Sequence, residues 1–346
     1  MSTILTTGGL GFIGSHTCIS LIDAGYDVVI IDSLTNSSKN YFTRLLNLSN
    51  KFKTDKRGKI YLRIGDLRDK KLLQEIFEEF ISKKSPILSV IHFAGLKSVE
   101  ESIHKPIEYW DVNLNSTINL ISVMSHFNCY SLIFSSSATI YKPKINSKIT
   151  EEFIKEPINP YGNTKYCIEI FLEDIFKSQP KLWKICNLRY FNPVGAHESG
   201  LIGEDPTSQP TNLFPIILKV INGELDKLRI YGGDWPTKDG TCIRDFIHIM
   251  DLADAHLAGL EFINQNAPMN ISINIGTGMG YSILDVVGNF KKLNNSYLPY
   301  EIVDRREGDF PYVIADNKLA TKLLNWRPKR TIDQMCEDSL KWIRSN

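Results

Sequence analysis

The chain lacks a strong charge of either sign. Its 40 Lys and Arg residues balance 39 Asp and Glu residues, for a net charge of +1. That balance removes the electrostatic case for nucleic acid or an anionic membrane as partner. It leaves room for a local basic pocket that takes a phosphorylated substrate. Cysteine is sparse as well. The six cysteines, Cys18, Cys129, Cys167, Cys186, Cys242 and Cys336, are scattered and form no Cys-x-x-Cys pair. The spacing argues against a metal site or a redox dithiol and for free thiols in a reducing cytoplasm. No apolar run reaches transmembrane length, and residues 1–7 enter a strand without the basic region of a signal peptide. A soluble, cytoplasmic protein is the expectation.

What is present is ordinary for a globular chain. There are 346 residues, 42% hydrophobic and 23% charged, enough for two domains or one large α/β body with a lobe. Short apolar runs read as strands at 3–6, 27–32, 60–64, 88–93, 131–134 and 185–190, with helical patterns between them, the first at 15–24. Strands spaced by helices predict an α/β fold with a doubly wound parallel Rossmann sheet, its site at the carboxyl ends of the strands. After residue 190 the pattern loosens into Pro, Gly, Asn and Asp. The boundaries expected are a first domain at 1–190 and a smaller C-terminal α/β substrate lobe at 191–346, with 244–262 a candidate to rejoin the first. The lysine-rich stretch 51–59 reads as a solvated loop. Two helical segments carry apolar residues on more than one stripe. One holds Val112, Leu114, Ile118, Leu120, Ile121, Val123, Met124 and Phe127; the other holds Tyr166, Ile168, Ile170, Phe171, Leu172, Ile175 and Phe176. Either they pair across a homodimer or they are sandwiched within one chain.

Chemistry enters with the glycines. Gly8, Gly11 and Gly14 lie between a strand and a helix. Glycine there allows a tight turn, close approach of a pyrophosphate and close helix packing. Asp32 ends the second strand, where a carboxylate accepts both hydroxyls of an adenosine ribose and repels a 2′-phosphate, so NAD is expected over NADP. Asp66 follows the third strand, and Phe93, Ala94, Gly95 and Lys97 follow the fourth. Tyr161 and Lys165 are four residues apart, on one face of a helix, downstream of Ser135-Ser136-Ser137. An ammonium near a phenol favours the phenolate, which can then take a proton from an alcohol while a hydride leaves the same carbon.

On segments 7–14, 92–97, 134–141, 161–165, 188–197, 239–254 and 305–309, the chain resembles the extended short-chain dehydrogenase/reductase family over essentially its whole length. Two segments, Arg-Tyr-Phe-Asn-Pro-Val-Gly-Ala-His at 189–197 and Arg-Arg-Glu-Gly-Asp at 305–309, resemble the branch that inverts C4 of UDP-hexoses. The resemblance implies an NAD-dependent isomerase that keeps its cofactor bound and passes through a 4-keto sugar. It implies Tyr161, Lys165 and Ser137 as catalytic residues. It places NAD against Gly8, Gly11, Phe12, Ile13 and Gly14, then Asp32, Ser33, Asn36 and Ser37, then Asp66 and Leu67, then Phe93, Ala94, Gly95 and Lys97. Asn113, Ser135, Tyr190 and Phe191 complete that set with Tyr161 and Lys165. It places the UDP-sugar against Lys97, Ser137, Ala138, Thr139 and Tyr161, and against Asn192, Asn212, Leu213, Arg229, Ile230, Tyr231, Arg244, Arg306, Asp309 and Val313. Where some members carry tyrosine beside the sugar C2 substituent, this chain has Val313, so UDP-GalNAc and UDP-GlcNAc join UDP-galactose and UDP-glucose as candidate substrates. The rivals are another NAD-dependent nucleotide-sugar enzyme, a dehydratase or dehydrogenase, and a non-catalytic NAD-binding sensor. A dehydratase needs an acid and base just after the serine run, where this chain has Ala138 and Thr139.

Overall fold

Runs of buried β-branched residues build the sheet. Val28, Val29, Ile30 and Ile31 are all buried, as a strand covered on both faces requires. The computed structural model describes residues 2–51, 57–144, 147–205, 210–295, 297–306 and 308–345. The lysine-rich stretch expected as a solvated loop lies largely outside them, at 52–56.

Among the described residues, the strands are β1 (Thr3–Thr7), β2 (Asp27–Asp32), β3 (Ile60–Ile64), β4 (Ile87–His92), β5 (Ser131–Ser137), β6 (Lys184–Tyr190) and β7 (Asn192–Val194). They continue with β8 (Leu228–Tyr231), β9 (Ile243–Arg244), β10 (Phe246–His248), β11 (Met269–Ile275), β12 (Tyr281–Ser282), β13 (Tyr300–Val303) and β14 (Tyr312–Val313). The helices are α1 (Phe12–Asp23), α2 (Lys39–Ser49), α3 (Lys70–Ser82), α4 (Val99–His104), α5 (Pro106–Trp110) and α6 (Ser116–His126). A π-helical turn, Asp111–Asn115, joins α5 to α6. Then come α7 (Pro160–Ser178), α8 (Leu213–Ile221), α9 (Ile249–Gln265), α10 (Ile283–Asn294), α11 (Lys318–Leu324) and α12 (Ile332–Ser345).

The main sheet has the order β11-β6-β5-β4-β1-β2-β3, and its pairings are parallel throughout. The strand order reverses between β1 and β4, so the loops leaving those two strands diverge and open a crevice at their carboxyl ends. One face packs α1, α2 and α9 around Cys18, Ile22, Leu45, Leu252 and Ile263. The other packs α3, α6 and α7 around Phe77, Phe80, Leu120, Met124 and Leu172. Each such side chain, once buried, contributes roughly 1.5–3 kcal/mol. A third core joins α8, α10 and α12 over Phe214, Phe246, Phe290 and Met335; it forms the lobe.

Three boundaries differ from the sequence reading. Helix α1 begins at Phe12, because the turn closes by Gly11. Strand β5 runs on to Ser137, so the serine run extends the strand expected at 131–134. The strand β11 returns to the main sheet beside β6 from beyond residue 262; its polar positions Asn270, Ser272 and Asn274 alternate with apolar ones, which shows regular structure at 271–290 without showing its place in the sheet.

Candidate active site

The crevice is a cavity of about 430 Å³, within the range of small-molecule sites. Its floor is the glycine turn. Gly8 has φ +67°, and a Cβ there would meet the Ala94 backbone nitrogen at 2.8 Å. A Cβ on Gly14 would stand 2.4 Å from the Gly8 carbonyl oxygen. Both positions therefore require glycine. Helix α1 opens on Gly11 with no side-chain cap, and Phe12, Ile13 and Gly14 of its first turn line the cavity. A helix start offers N–H donors and the positive end of the dipole, which suits a diphosphate.

Asp32 lines the cavity at the end of β2. Its Oδ2 accepts from the Leu10 amide at 2.9 Å, and its Oδ1 from the Leu34 amide at 2.9 Å and Ser37 Oγ at 2.7 Å. Those donors fix the carboxylate, and its remaining lone pairs suit ribose hydroxyls. Ser33, Asn36, Asp66 and Leu67 share this end of the wall. Arg68 holds Asp66 and also bonds Asp111. Phe93, Ala94, Gly95 and Lys97 line the wall from the loop after β4. The glycine cradle, the uncapped helix start and the anchored aspartate together fit a dinucleotide with a free 2′-hydroxyl.

The reactive end is built by β5, β6 and α7. Asn159 caps α7, its Oδ1 accepting from the Gly162 amide at 2.8 Å, and Pro160 opens the helix. This sets Tyr161 and Lys165 in the first two turns, both buried and both on the cavity wall. Lys165 Nζ donates to the Ser135 carbonyl oxygen at 2.7 Å and lies 5.9 Å from the centre of the Tyr161 ring. Ser135 Oγ is hydrogen-bonded to the Tyr190 hydroxyl. Ser137 Oγ accepts from Thr139 Oγ1 at 2.9 Å. Burial pushes the Tyr161 phenol above its ordinary value, and a hydrogen bond with Ser137 pulls it back in part. The direction is opposite to the lowering expected from the ammonium, and burial is its largest cause. Burial also takes Lys165 down to about 8.

Ser135, Ser137, Thr139, Tyr190, Phe191, Asn192, Asn212 and Leu213 meet Tyr161 and Lys165 on this one wall. Asn113 and Ala138 do not line it. Asn113 instead braces the loop after β4: its Oδ1 accepts from the Leu96 amide at 2.7 Å, and its Nδ2 donates to Leu96 O and to Thr164 Oγ1. Arg229, Ile230, Tyr231, Arg244, Arg306, Asp309 and Val313 also lie off the lining, in the lobe. Most of them are linked to one another there. Arg244 Nη2 pairs with Asp309 at 3.0 Å, and the Arg306 guanidinium lies 4.4 Å from the centre of the Tyr231 ring. Val313 pairs with Arg244 in register and packs against the small cluster that includes Phe191 and Ala138. Arg229 faces outward to Glu301, and Ile230 is buried in the lobe core.

Glu204 was missed from sequence. It lines the cavity, bonds Lys97 at 3.2 Å and accepts from Asn212 Nδ2 at 3.0 Å. Its only signal was a place in a loop rich in turn residues. Phe214 and Phe246 also line the cavity, though their apolar pattern reads as core. Among the described residues there is no group of His, Cys, Asp or Glu that could hold a metal ion, and no helix is long and apolar enough to cross a membrane.

Comparison with known proteins places these features in context. Residues 5–339 match a family model described as GDP-mannose 4,6 dehydratase. A UDP-glucose 4-epimerase of Pasteurella multocida is 46% identical over 344 residues, covering 99% of this chain and 98% of that protein. A UDP-glucose 4-epimerase of Bacillus subtilis is 42% identical over 343 residues, covering 99% of this chain and 97% of its own length. The crystal structure of UDP-glucose 4-epimerase from Bifidobacterium longum in complex with NAD+ and UDP superposes with a TM-score of 0.92 at 44% identity, covering 100% of this chain and 99% of that one.

Proposed function

We propose, because the chain belongs to the UDP-glucose 4-epimerase family of extended short-chain dehydrogenases/reductases, that its cavity interconverts UDP-galactose and UDP-glucose. The observation that carries this reading is a single cavity lined by both a dinucleotide cradle and the Ser137–Tyr161–Lys165 group. NAD, when bound, supplies a reversible hydride acceptor. The Gly8–Gly14 turn and Asp32 would hold it. Tyr161 takes the proton from the sugar 4-hydroxyl as the carbon is oxidised, and returns a proton when the sugar is reduced on its opposite face. Ser137 hydrogen-bonds the same oxygen. Lys165 would anchor the cofactor ribose and supplies positive charge near the phenol. Asn192, Asn212 and Leu213 begin the grip on UDP, and Arg244, Arg306 and Asp309 continue it from the lobe, where a guanidinium fork suits a diphosphate. With Ala138 and Thr139 where a dehydratase needs an acid and base, loss of water is not served.

The working division is a cofactor-binding body of residues 1–190, joined by the returning segments 249–265 and 269–275, and a UDP-sugar lobe from the rest. The protein acts in the cytoplasm, a reading supported by its six free cysteines. It pairs as a homodimer through the flank of α4 to α7. Ile103, Ile107, Ile118 and Ile170 are exposed there, Ile107 at 85%. Proton NMR of the purified protein with UDP-galactose and no added NAD tests the activity. A UDP-glucose signal growing to equilibrium is expected; an unchanged spectrum refutes it. Val313, smaller than tyrosine, supports acceptance of UDP-GalNAc in the same assay. Val313→Tyr should suppress that reaction selectively, and equal loss of both activities would refute the role.

A further inference from the structure

Beneath the cavity lies a buried ion pair that the proposed reaction does not use. Arg189 and Glu169 have side chains 4% and 6% exposed. Arg189 Nε donates to Glu169 Oε1 at 2.9 Å, and Nη2 donates to Oε2 at 2.5 Å, a fork on a carboxylate. Neither residue lines the cavity. A buried pair is often no more stabilising than apolar residues of the same volume, so stability alone gives little reason for it.

Its position gives a better one. Tyr161, Lys165 and Glu169 follow at four-residue intervals on one face of α7. Glu169 Oε1 also accepts from Ser136 Oγ at 2.5 Å. Ser136 stands between Ser135, whose carbonyl holds Lys165, and Ser137. On β6, Arg189 is the register partner of Ser136 and the neighbour of Tyr190. Arg189 Nη1 reaches the Tyr141 hydroxyl at 2.8 Å, which donates to Asn274 Oδ1 at 2.8 Å on β11. One network therefore ties α7, β5, β6 and β11 together.

We infer that Glu169 and Arg189 are positioning residues for the Tyr161–Lys165–Ser137 group: as a neutral pair they clamp α7 to the ends of β5 and β6 and leave no net charge one helical turn beyond the lysine. This rests on the proposed roles of Tyr161 and Lys165. The other ionisable groups facing the network are Tyr141 and Glu151 from the segment after β5, Tyr190 on β6, and His92 on β4. Asp316 acts on Glu151 from beyond β14. Burial holds His92 neutral and the phenols of Tyr141 and Tyr190 protonated. Burial also raises the Glu151 carboxyl. Burial would lower Arg189, but Glu169 outweighs it and keeps the guanidinium charged. These groups are the same in every variant of the pair, so the pair's own balance sets the difference in local charge between them. A lone charge ~10 Å away shifts a titration by roughly one pH unit at an effective dielectric near 20.

The test is titration of Tyr161 by tyrosinate absorbance, taken as the difference between each protein and its Tyr161→Phe counterpart. Glu169→Gln leaves Arg189 unbalanced and should lower the Tyr161 midpoint by about one pH unit. Glu169→Gln with Arg189→Gln removes both charges and should restore the midpoint while turnover stays low. An unmoved midpoint in the single variant, or a further shift in the double, overturns the inference. Arg189→Lys keeps the charge and loses the fork, and guards against failed folding of the others. It should keep the midpoint and lower kcat about tenfold or more with KM little changed; an unchanged kcat overturns the clamp. The titration needs no turnover, so a wild-type protein inactive on UDP-galactose would sink the proposed function while the midpoints still decide whether the pair sets the charge at Tyr161.

Discussion

At the Tyr161 oxygen two influences oppose each other. Burial raises the phenol and the Ser137 hydrogen bond lowers it. Only the phenolate can take the proton of the sugar hydroxyl, so the phenol oxygen is the group that matters and the ring merely its carrier. Tyr161→Phe should therefore cut turnover by about 10²–10⁴-fold with little change in KM, measured by steady-state conversion of UDP-galactose. Near-normal turnover would remove Tyr161 from the chemistry. The pairing of Tyr161 with Lys165 was legible because four-residue spacing means one helix face whatever the tertiary fold. The brace made by Asn113 was not legible: a buried amide shows its partners only once the loop after β4 and helix α7 are in place.

At the scale of elements, the helices on the α4–α7 flank divide their apolar residues between two uses. Leu120, Ile121, Val123 and Met124 of α6, and Ile168 and Leu172 of α7, pack inside the chain. Ile103, Ile107, Ile118 and Ile170 stay exposed. The sequence offered a homodimer and an internal sandwich as alternatives; much of the apolar excess goes to the second, and the remainder is the surface proposed for the first. Ile107→Glu with Ile170→Glu should convert a dimer to a folded monomer at micromolar concentration by sedimentation velocity. A wild-type protein that sediments only as monomer would contradict the dimer. Strand positions in the first half were readable because their residues are apolar on both faces. Strand β11 was harder, since Asn187 reaches across from β6 to its Asn270 and Ser272, and such polar pairs break the apolar run.

For the whole molecule, three buried histidines couple stability to pH. Burial lowers His16 and His92 to about 3 and His256 to about 4, from an ordinary 6.5. Their folded values lie below the unfolded one, so the stability they contribute is fully present above pH 6.5 and is lost as pH falls toward the folded values. Each costs about 1.4 kcal/mol per pH unit in that window. Urea midpoints should fall steadily from neutral pH toward about pH 5, and a flat profile would contradict the neutral assignment. The doubly wound body could be read from the sequence because its alternation is local. The lobe could not be laid out in the same way, since β7, β9, β12 and β14 are only two or three residues long, and their pairing is set by contacts distant in the chain.

The central claim is that one wall oxidises C4 of a UDP-hexose and reduces it again from the other side. UDP-galactose deuterated at C4, followed by NMR with the purified protein in ordinary water and no added NAD, tests it most directly. The account predicts UDP-glucose that retains deuterium at C4. Loss of the label to solvent, or no conversion at all, would contradict it.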